Sequence, residues 1–228
     1  MSQIRRMIAA MPEKTVISDY VQDGLVLAYD GYQAPSGGVW KDLSPSHNDL
    51  ALADGYNFDT DNHRLWAKQG DNHTTTDDVY IPTNFTWEIV LGFPEALSYN
   101  TPLSDGKIGL VLKNGSTYFR TQSAGYVSIV YMTSNDFDVS AMQVAYDTES
   151  CESRFYRNSW AKWSMEAGYL NHKAVTMPLY MGPSSFHCSA YIYALRIYNR
   201  KLTDAELLHN RKLDAARFDI PTTKIDQV

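Results

Sequence analysis

The residues of this 228-residue chain best placed to do chemistry lie in one polar stretch and in a scatter of aromatics among loop formers. Between residues 44 and 78, "DTDNH" and "GDNHTTTDD" bring Asp, Asn and His together, with His47, His63 and His73 inside the stretch. A calcium site is one reading, because a hard cation takes several oxygens from loop Asp and Asn side chains. Asp59, Asp61 and Asn62 are then its first ligands. The other reading is turn chemistry, in which Asp and Asn bond their own backbone. "DTDNHRLWAKQG" puts Arg64 where a calcium loop has its glycine and Gly70 where it has its bidentate Glu, so the segment is no EF-hand. No cofactor is expected, and calcium is the one exception the sequence admits.

Sugar binding asks for exposed aromatic faces beside planar polar groups. The candidates on loop-like stretches are Tyr32 in "DGYQAPSGG", His63 and Trp66 in "NHRLWAKQ", Tyr99 in "EALSYNTP", and the pair Trp160 and Trp163 in "NSWAKWSME". Rim packing over a core is the alternative for each. Other chemistry lacks its motif: there is no G-x-S-x-G, no Gly-rich phosphate loop before a helix, and no H-E-x-x-H.

Composition narrows the partners. A net charge of -6 argues against nucleic acid and against an anionic membrane, neither of which attracts an acidic surface. No apolar run approaches the ~20 residues of a membrane span. After its basic pair, the start "MSQIRRMIAAMPEK" has only "MIAAM", shorter than the ~7–15 apolar residues of a signal-peptide core. Synthesis and folding in a cytoplasm are expected. Cys151 and Cys188 are the only cysteines and are expected as reduced thiols on strands. Aromatics make up 13% of the chain, with 16 Tyr against 8 Phe, and tyrosine suits a wet recognition face as well as a strand.

The elements that must position these residues are strands. Candidates run over 24–30, 85–93, 107–113, 116–122, 126–133, 141–147, 153–157, 173–182 and 188–199, many separated by turn formers such as "DGK", "KNGS" and "GPSS". In "ALRIYNRKLTDAELLHNRKLDAARFDI" a half-buried alternation up to Tyr198 gives way to helical spacing after Leu202. Thr203 and Glu206 form a capping box there, with Leu202 and Leu207 as a hydrophobic staple. Near the start, Ile4, Met7, Ile8 and Met11 make an apolar stripe that Pro12 stops. A helix so short needs something to pack on, and "EKTVISDYVQD" is expected to let it reach a neighbouring subunit. The reading is an arm over 1–19 for oligomerisation or docking, one β domain over 20–220, and a tail over 221–228.

Three segments together resemble concanavalin A-like (laminin G-like) jelly-roll domains: "DGLVLAYDGYQAPSGGVWKDLSPSHNDLAL", "FTWEIVLGF" and "AYIYALRIYNRKLTDAEL". The ending "HNRKLDAARF" is similar to the tails of such domains in bacteriophage and prophage virion proteins. The resemblance implies an all-β, two-sheet antiparallel β-sandwich, with the last strand returning beside the first and the C-terminal helix plugging the sandwich edge. It also places Trp40 and Trp87 in the core. Glycan hydrolases on this fold carry carboxylates at alternate positions of one strand. Glu88 is followed at those positions by Val90 and Gly92, and Glu95 lies beyond a Pro. The expectation is therefore a non-enzymatic virion surface or tail-associated module, a homo-oligomer whose partner is a glycan or other virion proteins. A carbohydrate-binding module of a bacterial protein is the alternative, and a glycan hydrolase stands third.

Overall fold

Alternating side chains on a pleated backbone account for most of the elements in the computed structural model, which describes residues 16–68, 70–92, 99–104, 109–113, 116–121, 125–131, 139–147, 152–157, 163–165, 174–182 and 189–220. The apolar arm stripe, the tail, Cys151, Cys188 and Trp160 lie outside these residues. In chain order the strands are β1 (Leu25–Asp30), β2 (Val39–Trp40), β3 (Leu50–Ala51), β4 (Asn57–Asp59), β5 (Arg64–Lys68), β6 (His73–Thr75), β7 (Val79–Ile81), β8 (Phe85–Gly92) and β9 (Tyr99–Ser104). They continue as β10 (Gly109–Lys113), β11 (Ser116–Thr121), β12 (Gly125–Tyr131), β13 (Ser140–Asp147), β14 (Glu152–Arg157), β15 (Trp163–Met165), β16 (Val175–Met177), β17 (Tyr180–Met181) and β18 (Ser189–Tyr198). A 3-10 turn, Ile17–Asp19, precedes them and one α-helix, α1 (Asp204–Arg217), follows.

The strands make an all-β, antiparallel sandwich. One sheet runs β15-β14-β13-β8-β18-β5-β4 and the other β12-β11-β10-β9-β17-β6-β3-β2. β18 is the spine of the first: β8 lies along one side, and β5 and β1 share the other end to end. The last strand therefore does return beside the first, as the resemblance implies. The span 173–182 holds two strands and not one, because Pro178 between β16 and β17 has no N–H to give a ladder. Between the sheets lies a core of Leu27, Tyr29, Trp40, Leu65, Phe85, Trp87, Ile192 and Leu195, among others. Trp40 and Trp87 are buried there.

The helix does not plug an edge. It lies across the outer face of the first sheet, so β8 and most of β18 are buried on both faces. Arg196 and Tyr198, which the alternation up to Tyr198 leaves on a solvated side, are sealed beneath it. Its buried residues are Leu207, Asn210, Arg211, Asp214 and Ala215, one stripe at helical spacing that carries polar groups in place of a fully apolar face. Those groups meet charges on the strands. The Arg196 guanidinium donates through Nε to Glu88 Oε2 at 2.9 Å and through Nη2 to Asp214. Asn210 Nδ2 donates to Glu88 Oε2 at 2.9 Å and to the Tyr198 hydroxyl at 3.0 Å. Gln143 Nε2 joins Glu88 Oε1 at 2.6 Å to the Leu207 carbonyl at 2.9 Å. Burial pushes the Glu88 and Asp214 carboxyls up, and Arg196 pulls both back toward the ionised form.

The ends of α1 are fixed as well. Thr203 Oγ1 accepts from the Glu206 N–H while the Glu206 carboxylate accepts from the Thr203 N–H, completing the capping box read from the sequence. Arg200 grips the same carboxylate at 2.7 Å and helps hold it down at about 2. Leu202 and Leu207 are buried in one cluster with Leu25 and Tyr198. Just before β1 the chain is tied to α1: the Tyr20 hydroxyl donates to Asp214 at 2.8 Å and the Val21 N–H to Asn210 Oδ1 at 3.1 Å.

Removing Arg196 while leaving its two carboxylates buried destabilises the whole fold. Arg196→Met is expected to lower the unfolding free energy by about 3–5 kcal/mol in a urea titration, the usual cost of stranding one side of a buried pair. A loss under about 1 kcal/mol would show that the network does not hold the helix.

Candidate functional site

Where α1 stops, the outer face of the first sheet carries a row of rings and cations. On β5, Leu65 and Ala67 enter the core, so Arg64, Trp66 and Lys68 share the outer face. On β18, Tyr191 stands in register with Trp66, and the two rings lie 5.9 Å apart, tilted by 44°. The Arg64 guanidinium sits 3.8 Å above the Tyr191 ring and donates to the Tyr193 hydroxyl at 3.1 Å. Lys68 Nζ is 4.2 Å from the centre of the Trp66 ring. Such contacts stack cations on ring faces that carry negative potential.

The row continues into the C-terminal end of the helix. Tyr193 meets Phe218 edge to face at 5.7 Å, and Phe218 lies 5.8 Å from Tyr32. Tyr32 and His63 are stacked, with centroids 3.9 Å apart and planes 23° from parallel. The Tyr32 hydroxyl donates to the Arg217 carbonyl at 2.8 Å, and Arg217 pairs with Asp30 at 2.7 Å. Close approach of two loops makes this stack: a Cβ on Gly31 would fall 1.8 Å from the His63 carbonyl oxygen, so only glycine fits. His63 itself takes a positive φ of 55°, closing the turn between β4 and β5.

The candidate calcium ligands lie in that same turn. The Asp59 carboxylate accepts from the Asn62 N–H at 3.1 Å, from Asn62 Nδ2 at 2.7 Å, and from Arg64 Nε at 3.0 Å. Asn62 and then Arg64 hold its carboxyl below the usual carboxylate value. Asp61 is exposed. Among the described residues no group of three His, Cys, Asp or Glu is spaced to hold a metal ion. His73 is buried in the sandwich, where its Nδ1 accepts from the Ala53 N–H at 3.0 Å and burial pushes its pKa down.

Of the aromatics expected on loops, Trp66 is on β5, Tyr99 opens β9, and Trp163 opens β15 in register with Phe155. The fold thus brings Tyr32, His63 and Trp66 to one face. The sequence reading missed Arg64, Lys68, Tyr191 and Tyr193, although Arg-x-Trp-x-Lys and Tyr-x-Tyr both have the period of two that puts residues on one side of a strand. Glu88, the carboxylate considered for hydrolysis, is fully buried under α1.

Neither a protein-family model nor a curated protein matches this chain. Solved structures do. The binding domain of botulinum neurotoxin serotype D superposes with a TM-score of 0.65 at 12% identity, covering 85% of this chain and 52% of that one. Botulinum neurotoxin type C, whose cell entry is dependent upon interaction with two ganglioside molecules, gives 0.62 at 10% identity, covering 84% and 52%. Trypanosoma rangeli sialidase in complex with sialic acid gives 0.57 at 14% identity, covering 81% and 32%. This chain spans about half of each neurotoxin chain and about a third of the sialidase. At these identities the likeness shows the β-sandwich fold alone.

With Asp59 engaged by Arg64 and Asn62, millimolar calcium is expected to leave the melting temperature unchanged in differential scanning calorimetry. A calcium-dependent rise of several degrees would return Asp59, Asp61 and Asn62 to the status of ligands.

Proposed function

We propose that this chain is a non-enzymatic, carbohydrate-binding β-sandwich module whose glycan site is the strip Trp66, Tyr191, Arg64 and Lys68, extended by Tyr32 and His63. The single observation that carries this is the continuous row of rings and cations on a stretch of outer sheet face that α1 leaves uncovered. Stacking rings beside forked or compact donors is the arrangement a pyranose needs, with C–H faces on the rings and hydroxyls on the cations. The solved structures of similar fold support the reading, since the names of two of them concern gangliosides and sialic acid. The burial of Glu88 favours binding over cleavage.

A place on a bacteriophage virion, at its surface or tail, is the finer part of the proposal. It rests on the closing segment "HNRKLDAARF", and attachment to a host glycan or packing against other virion proteins would be the task there. Homo-oligomerisation through the stripe Ile4, Met7, Ile8 and Met11 belongs with it. A module of a bacterial protein would use the same strip.

The experiment is calorimetric titration of glycans chosen from an array screen, with Trp66→Leu and Tyr191→Leu alongside. Each substitution keeps apolar packing and removes a stacking face. Affinity is expected to fall about tenfold per ring, with the melting temperature little changed. Silence across a broad array, or full affinity in both variants, would overturn the assignment.

A further inference from the structure

Among the described residues no acidic partner stands against the Lys68 ammonium, whereas Arg64 on the same strand has one. Arg64 is held by Asp59 at 3.0 Å and by the Tyr193 hydroxyl. Asp71, three residues beyond Lys68, accepts from the Lys68 backbone N–H at 2.8 Å and faces His73 Nε2 at 3.4 Å. The ammonium instead lies 4.2 Å from the centre of the Trp66 ring. The Trp66 indole Nε1–H is buried and has no acceptor among the described residues, so the ring meets the strip through its face.

We propose that Lys68 makes this strip selective for carboxylated sugars, a sialic acid or a uronic acid residue; the inference rests on the glycan reading of the site. In the free protein the ammonium covers the ring face on which a pyranose would stack. A neutral sugar displaces it and forfeits a cation–ring contact worth a factor of about two to five in affinity at an exposed site. An acidic sugar draws the same ammonium onto its carboxylate, which the flexible four-carbon stem of lysine allows. A local cation is needed for such a ligand, because a chain of net charge -6 otherwise repels an anion. Lysine thus acts as a lid that only an acid turns into a ligand contact.

The test uses the full chain, wild type and Lys68→Met, titrated with 3′-sialyllactose and its methyl ester and with trigalacturonate and its methyl ester. Each ester keeps the sugar skeleton and lacks the charge. In the wild type at least one acid should bind about threefold to fivefold tighter than its ester, and that difference should shrink with salt. Lys68→Met should weaken the acid by a similar factor and leave the ester unchanged or up to about fivefold tighter. Binding of only one of the two acids supports the proposal and names the sugar. Equal weakening of acid and ester, or no change in either, overturns the role of Lys68. In that case a loss of both ligands in Trp66→Leu still upholds the glycan site, whereas a wild type that binds no acid, no ester and no neutral glycan overturns both.

Discussion

A guanidinium closed in between two carboxylates, Arg196 between Glu88 on β8 and Asp214 on α1, decides where the helix lies and so what the sheet leaves exposed. Groups of this kind give little net stability compared with apolar packing of the same volume, because each ion must be stripped of water. They are exacting about geometry. Glu88 also takes bonds from Asn210 and Gln143, and Asp214 takes one from the Tyr20 hydroxyl, so a helix turned by one residue would strand several buried polar groups at once. The network therefore fixes the rotation and register of α1 on the sheet.

From that position the rest follows by coverage. The helix lies over Glu88, Val90, Ala141, Gln143 and the Arg196 end of β18, and it ends where Phe218 meets Tyr193. Beyond Phe218 the outer face is β5 and the Tyr191 end of β18, whose rings and cations pack on one another. Arg217, the last residue of the helix, reaches Asp30 and lies over Tyr32, tying the β1 loop to the same boundary. One set of buried charges thus separates a helix-covered part from an open part of the outer face of a single sheet.

Much of this was legible in the residues. The long strands, the Thr203–Glu206 cap and the return of β18 beside β1 follow from periodicity, cap chemistry and the resemblance of the closing segment. The seat of α1 was not: the resemblance implies an edge plug, and only the facing Glu88 and Arg196 show why Asn210, Arg211 and Asp214 belong inside. Strands of two or three residues such as β2, β3 and β17 leave too few alternations to detect. The strip was half visible: His63 and Trp66 drew notice as loop aromatics, while Tyr191 and Tyr193 looked like ordinary strand residues until β5 was paired against β18.

The account turns on Trp66 being a contact ring rather than a core one, and the indole N–H signals of the five tryptophans report this directly. Addition of a binding glycan to uniformly ¹⁵N-labelled protein should shift the Trp66 indole cross-peak in a heteronuclear correlation spectrum while those of the core residues Trp40 and Trp87 stay in place. A Trp66 signal that stays fixed at saturating glycan, while another tryptophan moves, would put the site elsewhere on the molecule.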